Sequence, residues 1–345
     1  MILYIGNKLS GHGFTPTNVE TLGPKLQEKF EVLLISDKKN KISRFFDAIF
    51  TIIKYRKKIS LVFIDTYSTS NFYYTLAAAY LCRLFRLPYV PVLHGGGLPD
   101  RLKRSPKLSK LVFKNATANI SPSHYLMEAF RNEGYQVEYI PNYIETDKYP
   151  SSPRSKLRPY LLYVRSFHKI YNPEMAVKVL KELSKDYPEI ELCMVGPNKD
   201  GSKEKVEQLA ETLGIDDKLT ITGKLSKEEW IKLSDRYDIF INTTNFDNLP
   251  VSIIEAMCLG FPIVSTNAGG LPYLIEDDID GMLVDIDDDK AMANCIKKLL
   301  EDVDFAENMS KMAIKKGKSF DWEHICGQWD KLIGRVALKE KLKVL

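Results

Sequence analysis

The stretch "NFDNLPVSIIEAMCLGFPIVSTNAGG", Asn245 to Gly270, puts Asp247 in a polar loop and Glu255, eight positions on, inside an apolar segment. Asn, Asp and Pro mark a loop that runs into a helix, with Pro250 in the first turn, where a missing N–H costs least. Ile253, Ile254, Ala256 and Met257 surround Glu255, so the helix is expected to be buried. A carboxylate among such neighbours needs a partner. Gly260 closes the helix, and Pro262 to Ser265 read as a buried strand that runs out into the pair Gly269–Gly270. Upstream, "YDIFINTT" reads as another strand, which places Asp247 in the loop at its carboxyl end. Strand, loop, helix and strand in that order predict a parallel α/β unit.

The same alternation runs through the chain. Strands are expected at "ILYIG", "EVLLIS", "SLVFIDT", "PYVPVLHG", "ATANIS" and "QVEYIP", then at "YLLYVR", "IELCMVG", "KLTITG", "YDIFINTT", "FPIVSTN" and "GMLVD". Helix-length amphipathic segments fit between them. "YPSSPRSKLRP", Tyr149 to Pro159, is the one Pro/Ser-rich stretch between apolar blocks and reads as a linker. The expected fold class is therefore α/β with two doubly wound units, residues 1–153 and 160–320, and a cleft between them at the carboxyl ends of strands.

At 345 residues, 44% apolar and 27% charged, the chain has the composition of a globular protein with room for two cores. Five scattered cysteines, with no CxxC pair, fit reduced thiols rather than a disulfide framework or a zinc site. "MILYIG" lacks the charged and long apolar regions of a signal peptide, and no run of 18 apolar residues occurs. A cytoplasmic protein is expected. The net charge of +4 conceals an asymmetry: residues 1–150 carry 21 basic and 12 acidic side chains, the remainder 28 and 33. The excess concentrates between Lys38 and Lys114, in "KYRKKIS" and "DRLKRSPKLSKLVFK". It reads as a solvated basic face or as a surface attracted to the inner face of an anionic membrane. No nucleic-acid motif accompanies it.

The helix start near Pro250 offers unpaired N–H groups and positive dipole character, suited to phosphate. Glu255, about a turn and a half on, is placed to accept hydrogen bonds from sugar or ribose hydroxyls. Two carboxylates and an anion site suggest a nucleotide sugar. A surface Asp with a buried Glu paired to some Lys or Arg accounts for the same residues structurally.

With these residues in view, the stretch resembles the signature of the GT-B glycosyltransferases of family 4. In that family, two acidic residues separated by seven others precede an "EAM" helix and a glycine pair; here the seven are "NLPVSII". "YLLYVRSFHKIYNPEMAVKVL" resembles the segment that grips the donor diphosphate, pointing to Arg165 and Lys169. "MVGPNKDG", with Gly196, and "ITGKLSKEEW", with Gly223, Lys224 and Leu225, match the next two strand-to-loop segments, the latter lining the base pocket. "SPSHYLMEAF" and "IPNYIETDKY" are similar to late segments of the family's first domain, and "FDWEHICGQWDKL" to its closing helix, which implies that residues 321–345 pack back on the first domain. "GHGFTP", with Gly11, His12 and Gly13, is similar to the glycine loop facing the acceptor, and His94 of "VLHGGGLPDR" to a strand-end His facing the donor sugar.

The resemblance implies a retaining, metal-independent hexosyltransferase that moves a sugar from a UDP- or GDP-sugar to a hydroxyl acceptor such as a lipid-linked or growing surface-polysaccharide glycan. Asp247, Arg165, Lys169 and His94 would act at the reacting centre; Glu255, Asn248, Leu249 and Val251 would hold the donor. No cofactor or metal is implied. Two departures from the family pattern stand out: Asp247 where Glu is usual, and Tyr273 where Glu is frequent.

Other motifs carry less. "VLHGGGLPDR" as an esterase oxyanion loop would need a GxSxG elbow, which the chain lacks. As structure, its three glycines simply allow a tight turn. "GKS" at Gly317 to Ser319 lacks a P-loop's upstream glycine, "GHGFTP" lacks the third glycine of a dinucleotide fingerprint, and "DID" at Asp285 to Asp287 reads as a solvated helix start. His124 and His324 read as ordinary helix residues. A silent nucleotide-sugar-binding scaffold and a two-carboxylate glycosidase or epimerase remain as alternatives.

Overall fold

The computed structural model of the chain describes residues 1–13 and 16–342, with side chains described through residue 338. Phe14 and Thr15 of the "GHGFTP" loop lie outside the described residues. Two compact units form: Met1–Pro141 together with the chain from Cys326 onward, and Asn142–Ile325.

The first unit alternates β1 (Ile2–Ile5), α1 (Asn18–Gln27), β2 (Val32–Ile35), α2 (Lys41–Tyr55), β3 (Leu61–Thr66), α3 (Asn71–Leu84), β4 (Tyr89–Leu93), α4 (Leu98–Arg104), α5 (Pro106–Phe113), β5 (Ile120–Ser121), α6 (His124–Asn132) and β6 (Glu138–Tyr139). Its parallel strands lie in the order β2-β1-β3-β4-β5-β6. The apolar runs expected as strands all pair, the last two as two-residue strands.

The second unit runs β7 (Tyr160–Val164), α7 (Pro173–Leu183), β8 (Glu191–Val195), α8 (Ser202–Leu213), β9 (Leu219–Gly223), α9 (Lys227–Ser234), β10 (Ile239–Asn242), α10 (Val251–Cys258), β11 (Ile263–Thr266), α11 (Leu271–Leu274), β12 (Met282–Val284), α12 (Asp289–Glu301) and α13 (Val303–Lys318). Strand order is β12-β11-β10-β7-β8-β9, all parallel. The first and fourth strands of this unit, β7 and β10, are therefore neighbours, and the winding reverses between them. Loops leaving such a pair diverge to opposite faces and open a crevice at the carboxyl edge, where α/β proteins bind ligands.

A closing helix, α14 (Trp322–Leu342), carries the rest. Within the first unit its Trp329 ring packs edge-on against Phe63, centroids 5.6 Å apart, and Asp330 meets Lys29 at 2.7 Å. Among the described residues no helix is long and apolar enough to cross a membrane.

The stretch Tyr149–Pro159 is not a free linker. Tyr149 is buried, Ser151 Oγ donates to the Cys258 carbonyl (2.7 Å), and Arg154 donates to the Tyr237 carbonyl (2.5 Å) with its guanidinium 3.9 Å above the Phe261 ring. Its prolines and serines suit an extended segment, but Tyr and Arg side chains lay it on the second unit, and the chain divides earlier, at Pro141–Asn142. Gly317, excluded above as a P-loop glycine, has a packing role: a Cβ there would sit 2.6 Å from Cys258 Sγ, so its absence lets α13 press on α10.

Candidate functional site

The site is built where the second sheet reverses. Arg165 directly follows β7, and its guanidinium donates to the Asp247 carboxylate from the loop after β10. The two loops are sewn together: Asn245 N donates to the Ile170 carbonyl (2.8 Å), and the Thr243 hydroxyl reaches the Tyr171 and Asn172 carbonyls (3.1 and 2.8 Å). Tyr171 lies beneath Arg165, ring centroid 4.4 Å from Cζ. Arg165 Nε is buried with no hydrogen-bond partner among the described residues, a donor left over after Asp247 has been served. A buried polar atom in that condition calls for an explanation, and a ligand is one.

Asp247 is fixed on every side. Its Oδ1 accepts from the Asn248 amide (2.8 Å), and its carbonyl accepts from Gly270 N (2.8 Å). The glycine pair is required by this contact: a Cβ on Gly270 would lie 1.8 Å from the Asn248 carbonyl oxygen, and one on Gly269, whose φ is +60°, 2.2 Å from that of Asp247. Pro250 is the residue before α10 rather than within its first turn, and among the described residues no side chain caps the helix. The first-turn amides from Val251 on thus keep their anion-binding character. Leu249 is buried beside them.

Glu255 is buried on α10, as its apolar neighbours require, and its partner is Lys227 Nζ at 2.5 Å, with the Tyr149 hydroxyl donating at 2.7 Å to the same oxygen. Burial, and then the charge of Glu255, hold the Tyr149 hydroxyl well above its ordinary pKa, so it stays a neutral donor. Lys227 begins α9, which a Ser226–Glu229 capping box initiates. Both partners were missed in the sequence: Lys227 lies far upstream in an exposed charged run, and Tyr149 in what reads as a linker.

Lys169 is exposed on the turn after Arg165, and its amide donates to Asp200 Oδ2 (2.9 Å). That hydrogen bond, with one from the Ser202 hydroxyl, lowers the Asp200 carboxyl to about 2. Gly196 allows its loop to touch Arg165, whose carbonyl oxygen would lie 2.0 Å from a Cβ there. Gly223 has φ +75° and open space around it, and Lys224 is exposed next to half-buried Leu225 in the loop before α9.

The remaining candidates lie in the first unit. His94 Nε2 meets Asp65 Oδ1 at 2.9 Å; that buried carboxylate also accepts from the Tyr4 hydroxyl (3.0 Å). The close approach permitted by the glycines after His94 is to their own unit, since a Cβ on Gly95 would lie 2.7 Å from Ser68 N. Gly11 and His12 belong to a short 3-10 turn that Gly13 ends at φ +83°, and His12 Nε2 lies 2.9 Å from the Asp37 carbonyl oxygen. Asp288 caps α12 just after the "DID" segment, which therefore leads into a helix as expected. Among the described residues no group of three or more His, Cys, Asp or Glu could hold a metal ion.

Residues 145–316, about half of the chain, match the family model of the glycosyl transferases group 1. A D-inositol 3-phosphate glycosyltransferase of Paenarthrobacter aurescens is 26% identical over 166 residues, 48% of this chain and 41% of that relative. An uncharacterized glycosyltransferase of Methanocaldococcus jannaschii is 26% identical over 247 residues, 66% of this chain and 61% of its own. The chain thus spans about two fifths of the first relative and three fifths of the second. Among solved structures, Anabaena HepE in complex with UDP and glucose superposes with a TM-score of 0.74 at 17% identity, over 96% of this chain and 99% of that one. That likeness is one of fold, and the fold is the GT-B α/β architecture. Arg165, Asp247 and Glu255 all fall inside the matched segment, and the chain belongs to the glycosyl transferases group 1 family.

Proposed function

We propose that this chain is a family 4 glycosyltransferase that moves a sugar from a nucleoside diphosphate sugar to a hydroxyl acceptor with retention at the anomeric carbon. The observation that carries the reading is the half-buried Arg165 guanidinium, paired to Asp247 yet keeping a buried Nε unsatisfied among the described residues, at the sheet's reversal beside the uncapped start of α10. In this reading the acceptor oxygen bonds to the anomeric carbon as the bond to the phosphate oxygen breaks, on the same face. The hydroxyl proton passes to the departing phosphate. Arg165, Lys169 and the amides near Val251 stabilise the charge that develops there; preorganised donors of this kind contribute about 3–4 kcal/mol each, a helix terminus about 0.3–2. Because fixed cations serve the diphosphate, no metal is needed in this mechanism.

Asp247 orients the sugar and Glu255 accepts the ribose hydroxyls, with Asn248, Leu249, Gly196, Gly223, Lys224 and Leu225 around the donor. His94 is assigned to the donor sugar and Gly11, His12 and Gly13 to the acceptor. The HepE complex with UDP and glucose favours UDP as the first nucleotide to try. A lipid-linked or growing surface-polysaccharide glycan is the proposed acceptor.

The test is the thermal shift of the purified chain with UDP, GDP and their sugar conjugates in EDTA, with NAD as control. Ligand at a hundredfold excess over its Kd should add about 2.7 kcal/mol of stability. A shift with one nucleotide series and no metal supports the reading; no shift with any of them overturns it.

A further inference from the structure

The first unit carries an apolar surface that its own core does not use. On α2, Ile42, Phe46, Phe50 and Ile53 recur at helical spacing and are exposed, Ile42 at 68% and Phe50 at 65%. The opposite face, Arg44, Ala48 and Ile52, is the buried one. A surface helix normally needs one apolar stripe; α2 has two. Asn40 fixes where the stripe begins by accepting from the Ile42 and Ser43 amides (2.8 and 3.2 Å).

The stripe continues onto neighbouring helices through Tyr73, Tyr80 and Leu84 of α3 and Leu111 of α5, all exposed. Between the three helices lies a groove of about 580 Å³, lined by Phe45, Ile49, Leu76, Ala77 and Leu81 among others. Around it, residues 38–58, 71–86 and 107–114 expose twelve Lys and Arg side chains against a single acid, Asp47.

An exposed apolar patch of this extent marks an interaction surface. Its charge selects the occupant. A second copy offering the same face would bring the same positive rim, and like charges repel. An anionic bilayer complements both parts: the acyl boundary accepts Ile and Phe, the headgroups accept Lys and Arg. We infer that the face formed by α2, α3 and α5 docks on an anionic membrane surface, with Phe46 and Phe50 entering the acyl boundary and Lys54, Arg56, Lys57, Lys58, Lys107 and Lys110 on the headgroups. This docking does not depend on the transfer reaction proposed above, and it can be read without any activity.

The experiment is sedimentation of the full chain with vesicles of phosphatidylcholine alone or with about 30 mol% phosphatidylglycerol. The chain should bind the anionic vesicles, and raising salt from about 0.1 to 0.5 M should weaken the binding by screening. The double variant Phe46→Ser/Phe50→Ser, at two exposed positions, should bind the same vesicles about tenfold less tightly or worse, with an unchanged melting temperature. As a second readout, Phe50→Trp should show a blue-shifted emission on anionic vesicles that the wild type lacks. Equal binding to both vesicle types, full binding by the double variant, or no blue shift overturns the inference. So does a dimer in solution that the double variant abolishes while neither protein binds vesicles, because a second copy would then cover the face.

Discussion

Arg165 and Asp247 form an ion pair across the reversal of the second sheet, one side chain from the loop after β7 and the other from the loop after β10. Both are largely buried, at 22% and 12% side-chain exposure. Such a pair holds a guanidinium ready before any ligand arrives, which is the preorganisation that charge stabilisation requires. Arg165→Ala should lower turnover at least about a hundredfold, read by steady-state kinetics at saturating donor. Near wild-type turnover would remove Arg165 from the reacting centre.

Glu255 should behave differently. Its carboxylate is held by Lys227 and Tyr149, so Glu255→Gln disturbs both a structural pair and the proposed ribose contact. A hydrogen bond to a charged group is worth about 1.5–3 kcal/mol, which predicts UDP binding weaker by about tenfold or more in calorimetry. Tyr149→Phe removes a donor to the same oxygen without touching the charge and should leave UDP affinity within about threefold. Equal losses from both variants would assign Glu255 to packing alone.

The strands were legible because the apolar runs are bounded by Gly, Pro and Asn, and each run has room for only one strand. The loops at the carboxyl edge were legible for the same reason: Arg165 directly follows β7, and Asp247 lies in the short polar loop after β10. Sequence spacing could not show that these two meet, because that depends on β7 and β10 being neighbours, a matter of winding order. It could not find Lys227 or Asp65 either. Both are single residues brought to Glu255 and His94 by tertiary packing, with no local pattern to mark them. The Tyr149–Pro159 stretch misled because composition describes backbone preference, while Tyr149, Ser151 and Arg154 decide where that backbone lies.

The glycines offer a test of how tightly the acidic loop is held. Gly270→Ala would force a Cβ to 1.8 Å from the Asn248 carbonyl oxygen, whereas Gly11→Ala meets nothing within 4 Å among the described residues. Neither position has the left-handed backbone that would add strain of its own. Gly270→Ala should therefore lower the melting temperature and weaken UDP binding together, since the loop must move to admit the methyl group. Gly11→Ala should leave the melting temperature within a degree or so, as an open surface position does. A Gly270→Ala protein as stable and as tight in UDP binding as the wild type would mean that the contact between the glycine pair and the acidic loop is loose.

Acid should loosen the turn that carries Lys169. The Asp200 carboxyl is held at about 2, against an ordinary 3.8, mainly by the Lys169 amide and then by the Ser202 hydroxyl. The folded state thus binds this proton less readily than the unfolded one. The stabilisation is present in full above 3.8 and is lost as pH falls through about 2. Asp200→Asn, which cannot ionise, should be less stable than the wild type near neutral pH, and the difference should shrink as pH is lowered through that window. Urea unfolding of both proteins at several pH values between about 6 and 2 measures it. A stability gap that stays constant over the whole range would show that the carboxylate charge contributes nothing to holding Lys169 in place.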